Sequence, residues 1–392
     1  MKKRIENALN IPRLKVKYRA ASRQKRTRLL NEICDLTGMH RKALIRLLNR
    51  KIKRTKPPRG LAPKYQYETI LPILKTIWFA CDQMGSKRLH TAIPFWLPFY
   101  EQEHGSLMDF TRLQLLSTSP ATIDRLLKKT RVRHSSKRLC GTKPGKILKN
   151  QIPIKLNQWD EHEPGFLEAD TVAHFGTSLE GDFVWSITFT DIHTTWTENR
   201  AIWNKGATGV VQRVKEIELV LPFKIKGFDC DNGSEFLNHH LLRYFTDRPK
   251  ERMVQFTRSR PYHKNDNAHV EQKNWTHVRQ LLGYDRLDHP KLVGLVNDLY
   301  EKEWRLYQKH FIPTLKCIKK EKINSKYRKQ YDTPKTPYER VLACESIEGK
   351  VKQRLMEEHQ PLNPFQLKRD IEKKLSRIFK YVKVAKKVKR RI

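Results

Sequence analysis

The sequence predicts a multidomain protein: an α/β core over residues 160–290, all-α helix-turn-helix domains before it, and a mainly helical, basic region after it. Three observations lead there. Apolar residues recur at helical spacing on both sides of the core and at strand spacing within it. Charge reverses sign at the same boundaries, since residues 160–290 hold 16 Lys/Arg against 20 Asp/Glu, a net −4, while the remainder is net +43. And 392 residues exceed what one compact core usually serves.

Residues 1–60 carry 20 Lys/Arg and 3 acids. Within them, 22–50 (SRQKRTRLLNEICDLTGMHRKALIRLLNR) reads as two helices broken at Thr37 and Gly38, with Leu29, Leu30, Ile33 and Leu36 and then Leu44, Leu47 and Leu48 at helical spacing. This is a helix-turn-helix pattern. Its second helix opens with His40, Arg41 and Lys42 and continues through Arg46, which puts hydrogen-bond donors at the end that would enter a major groove. An ordinary helical hairpin is the plain alternative.

After the punctuation of TKPPRGLAPKY, residues 61–130 read as a second helical domain with a stripe through Ile70, Leu74, Ile77 and Trp78. It closes on LQLLSTSPATIDRLLKK, where Ser119 can cap, Pro120 suits the first helical position, and Ile123, Leu126 and Leu127 form a buried stripe. That is a second candidate recognition helix. Residues 131–159 hold 8 Lys/Arg and no acid, include Pro144, Gly145 and Pro153, and read as a basic, DNA-contacting linker.

From residue 160 the pattern changes. FLEADTVAHF, FVWSITFTDIHTTW and TENRAIW are aromatic and β-branched and predict an antiparallel meander; ATGVVQRVKEIELVL predicts a helix and FKIKGFDCD another strand. Residues 291–392 read as mostly helical, ending in an arm with 10 basic residues and one acid over 371–392.

Three carboxylates fall at instructive places. Asp170 ends the first strand, Asp231 ends the strand after the helix, and Glu271 lies on a helix over roughly 267–282. On that helix Glu271 shares a face with Trp275, Val278 and Leu282, a face expected to pack inward, and a buried carboxylate is costly unless it is paired or holds a metal. Glu168 and Asp229 lie two residues away on the same strand faces and compete as supporting groups. Asp191 reads as structural. His174, His263 and His269 lie near these segments, although hard oxygen ligands suit Mg²⁺ better. Asn232, Gly233 and Ser234 read as a turn entering a helix, or equally as a plain cap.

A net charge of +39 calls for a polyanionic partner, and nucleic acid is the first choice. Ribosomal, membrane-surface and DNA-processing proteins share such a charge; an acidic domain between cationic arms favours the last, because bound cations reconcile its carboxylates with phosphate. The six cysteines, at 34, 81, 140, 230, 317 and 344, form no CxxC pair, which argues against a zinc finger or a disulfide framework and fits a reducing cytoplasm. No apolar run approaches the ~20 residues of a membrane span, and the first residues lack a signal peptide's apolar segment.

GFDCDNGSEF resembles the DNG-containing segment of retroviral integrases and bacterial insertion-sequence transposases, RSRPYHKNDNAHVEQKNW resembles their glutamate segment, and FLEADT their first aspartate segment. The three come in the family's order, 61 and 40 positions apart; the second interval is a few residues longer than in the retroviral enzymes, as from a longer loop around 246–266. The flanking helical domains and KQYDTPKTPYERVL are also similar to bacterial integrase-catalytic-region transposases. The resemblance implies a ribonuclease H-like core of the DDE type, with Asp170, Asp231 and Glu271 holding two Mg²⁺ or Mn²⁺ ions. It implies cleavage and strand transfer at mobile-element ends, on double-stranded DNA comprising terminal repeats and target, by a homo-oligomer associated with the bacterial nucleoid. Arg258, Arg260, Lys264, Lys273 and Arg279, which flank the glutamate, are expected phosphate contacts alongside Arg41, Lys42 and Arg46. The N-terminal His/Cys zinc module of retroviral integrases has no counterpart here. A DNA-binding repressor with an inactive core and a ribonuclease H-like nuclease that never joins strands are the rival readings.

Overall fold

The computed structural model describes residues 11–49, 65–134, 162–230, 236, 239–249, 254–258, 268–323 and 326–389. The chain divides into two compact units between Lys64 and Tyr65.

The first unit contains α1 (Ile11–Ala20), α2 (Arg23–Thr37) and α3 (Arg41–Asn49). The break expected at Thr37 and Gly38 is where α2 ends: Gly38 adopts φ 64°, a left-handed conformation that costs glycine nothing, and its N–H donates to the Cys34 carbonyl at 2.8 Å. Tyr18, Leu30, Ile33, Leu44 and Leu48 form the core. Leu36, counted in the apolar stripe, is instead 83% exposed.

The second unit opens with α4 (Tyr67–Ala80), α5 (Ser86–His104), α6 (Asp109–Ser117) and α7 (Pro120–His134). Pro120 is the first residue of α7, and the Ser119 hydroxyl accepts from the Thr122 N–H at 3.3 Å. Then come β1 (Phe166–Ala173), β2 (Val184–Asp191), β3 (Thr197–Trp203), α8 (Ala207–Val220), β4 (Gly227–Cys230), α9 (His239–Thr246) and β5 (Gln255–Arg258). They build a mixed five-stranded sheet in the order β3-β2-β1-β4-β5, with β1, β2 and β3 antiparallel, β4 parallel to β1, and β5 parallel to β4. The α/β core is therefore as expected, except that β1 runs three residues past Asp170, which was expected to end it, because Thr171, Val172 and Ala173 still pair with β2. β5 was not foreseen, since four residues carry no readable alternation. Gly227 is required where β4 meets β1: a Cβ there would run into the Phe166 ring.

Next, α10 (Ala268–Lys273) runs without a break through a π-helical stretch, Asn274–Arg279, into α11 (Gln280–Leu282). α12 (Lys291–Leu299) likewise passes through a π-helical Tyr300–Trp304 into α13 (Arg305–Phe311). The tail, expected to be mostly helical, contains a hairpin of β6 (Cys317–Ile323) and β7 (Lys326–Tyr331) before α14 (Pro337–Ala343), α15 (Gly349–His359) and α16 (Pro364–Lys389). The hairpin escaped notice because the apolar side chains described on it, Ile318, Ile323 and Tyr331, are all exposed. Thr336 and Glu339 form a reciprocal capping box on α14, with Pro337 at its start.

One hydrophobic cluster joins α4, α5 and α7 to α12, α13 and α16. At its centre the Trp96 indole N–H donates to the Phe311 carbonyl at 3.1 Å, and its ring meets Tyr307, Phe311 and Phe365 edge-on. A second cluster lies under the sheet, where Leu167, Ala169, Ile187, Phe189, Phe228 and Cys230 pack with residues of α8, α9 and α14. At the sheet's edge Lys309 of α13 pairs with Glu198 of β3 and lies 4.4 Å over the Trp196 ring, while Arg200 sits 3.6 Å from Glu198 and 3.2 Å from Glu301. Among the described residues no helix is long and apolar enough to cross a membrane.

Candidate active site

The parallel pairing of β1 with β4 matches Glu168 to Asp229 and Ala169 to Cys230. Because side chains alternate along a strand, Leu167, Ala169, Phe228 and Cys230 point into the core, while Glu168, Asp170 and Asp229 share the other face. That face is polar across three strands: Asp170 pairs with Thr188 and Thr188 with Asn199, whose amide donates to the Thr188 hydroxyl at 2.9 Å. Asp229 accepts a hydrogen bond from Thr257 of β5 at 2.7 Å. Cys230 is the last residue of β4 and lies opposite the residue preceding Asp170. Asp231, next in sequence, lies outside the described residues.

α10 is fastened to this face at two points. The Glu168 carboxylate accepts from the backbone N–H groups of His269 at 3.0 Å and Val270 at 2.9 Å, occupying the positive end of the helix. Burial pushes the Glu168 carboxyl up to about 8 against those two donors, and the charges of Asp229 and Glu271 push it the same way. One turn on, the Asn274 amide donates to Asp170 Oδ2 at 2.6 Å; Asp170 Oδ1 accepts from the Thr171 N–H at 2.7 Å. Glu271 lies between the two fastenings, three residues before Asn274. The Asn274 carbonyl oxygen is itself buried with no hydrogen-bond partner among the described residues.

The inward face of this helix is not the expected one. Val278 and Leu282 are fully buried, but Glu271 is exposed and Trp275 is 37% exposed. The wider i→i+5 turns of residues 274–279 rotate the later residues relative to the earlier ones, so the face continuing from Val278 and Leu282 runs back through Asn274 to Val270. Burial on an apolar face therefore gives no reason for Glu271 to be a metal ligand. What the structure does give is that its charge acts on the Glu168 carboxyl.

The remaining sequence-predicted residues divide by location. Arg41, Lys42 and Arg46 are exposed on α3 in the first unit, where Arg41 bonds Asn31. Arg258 closes β5, and its side chain, like Arg260, Lys264 and His263 entirely, lies outside the described residues. Lys273 is 5% exposed, and burial, with Arg88 and Arg340 nearby, brings its amine down to about 7. Arg279 donates to the Ala173 carbonyl at 3.0 Å and stacks over Tyr284. His174 is buried with Nε2 2.8 Å from Ser186, and burial takes His269 down to about 4. Asp191 is fully buried and accepts from the Gly165 and Thr194 N–H groups and the Thr194 hydroxyl.

Among the described residues no three His, Cys, Asp or Glu side chains converge to hold a metal, and Asp231 is not among them. The three residues expected from the sequence, Asp170, Asp231 and Glu271, are all carboxylates, the chemistry that suits Mg²⁺ or Mn²⁺. Sequence reasoning passed over Asn274. The E-x-x-N spacing does set it one turn from Glu271, but nothing in the pattern names Asp170 as its partner.

No family model matches the chain. It is 36% identical over 331 residues to the uncharacterized protein y4rM of Sinorhizobium fredii (strain NBRC 101917 / NGR234), a match covering 83% of this chain and 91% of that protein. The chain belongs to the same protein family as y4rM.

Proposed function

We propose that the protein is a DDE-type DNA transposase with a ribonuclease H-like core, which cuts and joins DNA strands at the ends of a mobile element. The observation that carries this reading is the Asn274–Asp170 hydrogen bond, which ties the middle of β1 to the helix bearing Glu271. The pairing of Ala169 with Cys230, one residue before Asp231, supports it, as does an antiparallel meander followed by helix-linked parallel strands. Asp170, Asp231 and Glu271 would hold two Mg²⁺ or Mn²⁺ ions, which polarise the attacking oxygen and stabilise the leaving one. Glu168 anchors the helix to the strand, Asn274 orients the Asp170 carboxylate, and the basic segments outside residues 160–290 offer charge to double-stranded DNA. Two element ends have to be cut together, so the working form in this reading is a homo-oligomer.

The test is strand joining by the purified chain with Mg²⁺ and DNA carrying the inverted repeats that flank its gene. Joined products are expected, absent with EDTA and absent for Asp170→Asn and Asp231→Asn. An Asp231→Asn protein that cleaves at the full rate removes the carboxylate triad. Cleavage without joining favours the nuclease reading, and specific binding without cleavage the repressor.

A further inference from the structure

A cleft of about 840 Å³ opens within the second unit, away from the carboxylates. It lies between the 81–85 turn, Arg88 of α5, Thr276 and Gln280, Trp304 and Gln308, and α16 at Lys368 and Glu372. Both π-helical stretches reach it, and such wide turns are frequent at functional sites. Asp82 and Gln83 on its rim adopt φ 52° and 56°, two successive non-glycine residues in left-handed conformation, an arrangement that persists only where the surroundings hold it.

One donor in the cleft wall is unsatisfied, and one cation there has no carboxylate paired with it. The indole Nε1–H of Trp304, a residue 3% exposed, has no hydrogen-bond partner among the described residues, and a buried donor left so is destabilising. Arg88 gives its Nε–H to the Pro313 carbonyl at 2.6 Å; Asp82 on the rim acts on it through its charge, but no carboxylate of the described residues comes within ion-pairing distance of it. Another cation, the buried Lys273, lies close enough for the charge of Arg88 to act on it. Lys368, by contrast, is paired with Asp82, and Glu372 sits 63% exposed at the rim, 3.8 Å from Lys368. The other walls are apolar, at Phe79, Leu281 and Leu375, with the amides of Gln83, Gln280 and Gln308 among them.

We propose that this cleft binds a nucleotide, its phosphate on Arg88 and the Trp304 indole N–H and its base between the apolar walls, read at its edge by the glutamine amides. A cation without a directly paired carboxylate asks for an anion. The volume is that of an organic-ligand pocket, larger than phosphate needs. Glutamine amides pair with base edges. The same chemistry is presented by a free nucleotide and by an unstacked nucleotide of a DNA strand.

Isothermal titration of the full chain in EDTA tests this with deoxyadenosine monophosphate, a 5′-phosphorylated single-stranded hexa-adenylate and inorganic phosphate. Tighter binding of the mononucleotide than of the strand identifies a free nucleotide as occupant, and the reverse identifies a strand nucleotide; either supports the site. Arg88→Gln is expected to weaken binding about tenfold or more, and Trp304→Phe and Gln280→Leu severalfold. Should Arg88→Gln fail to fold, the exposed Gln280→Leu carries the test. Unchanged binding in the folded variants, or no ligand binding better than inorganic phosphate, overturns the proposal. Because divalent cation is absent, failure here leaves the strand-transfer reading untouched, and failure of strand transfer leaves this site standing.

Discussion

Replacing Asn274 by alanine removes the donor that orients Asp170 without touching any carboxylate. The bond removed spans 2.6 Å to a carboxylate oxygen, and bonds to charged groups contribute about 1.5–3 kcal/mol. At 1.36 kcal/mol per factor of ten, that corresponds to a rate loss of roughly 10- to 160-fold. Asp170 is only half-buried, so the lower part of that range is expected. On the proposed strand-transfer reading, the assay is single-turnover cleavage and joining as a function of Mg²⁺ concentration. Asn274→Ala should be slower and need more Mg²⁺ for half-maximal rate, since a carboxylate free to rotate is a poorer ligand. Asn274→Asp should be worse still, because it brings a second negative charge against the first. A wild-type rate with unchanged Mg²⁺ demand refutes the reasoning, and so does a slow enzyme whose only other change is a lower melting temperature.

Three further outcomes are open to measurement. Glu198→Gln strips the carboxylate from Lys309, which is 2% exposed, and should cost about 3–5 kcal/mol by urea denaturation, whereas Glu198→Leu with Lys309→Met should cost much less. His310 and then Arg305 hold the Glu358 carboxyl down to about 2, below its unfolded value of 4.5. That stabilisation is therefore present above pH 4.5 and fades as the pH falls toward 2, so the difference in melting temperature between wild type and Glu358→Gln should shrink over that window. Neutralising Arg41, Lys42 and Arg46 together should lower the log–log salt slope of DNA binding by up to about 2.7, at about 0.9 for each phosphate no longer neutralised; an unchanged slope returns α3 to an ordinary hairpin.

The α/β core was legible because its first three strands are long and rich in β-branched and aromatic residues, so the meander could be read directly from FLEADTVAHF to TENRAIW. The stop at Gly38 and the start at Pro120 were legible because their residues have local conformational reasons to sit there. β5 and the β6–β7 hairpin were not, being respectively too short and too polar to leave a periodic trace. The inward face of α10 was misread because a π-helical stretch has no sequence signature: counting in steps of 3.6 residues assigns Glu271 and Trp275 to the core, and the wider turns take them out of it. Asn274 and Glu168 stayed hidden as fastenings because their partners lie about a hundred positions away in the chain.

The two fastenings of α10 leave different marks on how the gene can drift. Glu168 grips main-chain N–H groups, which every residue except proline supplies, so this fastening does not depend on which side chain stands at 269, whereas it does depend on the carboxylate at 168. Asn274 grips side chain to side chain, and neither partner can change without the other adjusting. Among descendants that keep this core, 168 should stay a carboxylate whatever stands at 269 and 270, and 274 should change only to a residue that can still donate to Asp170.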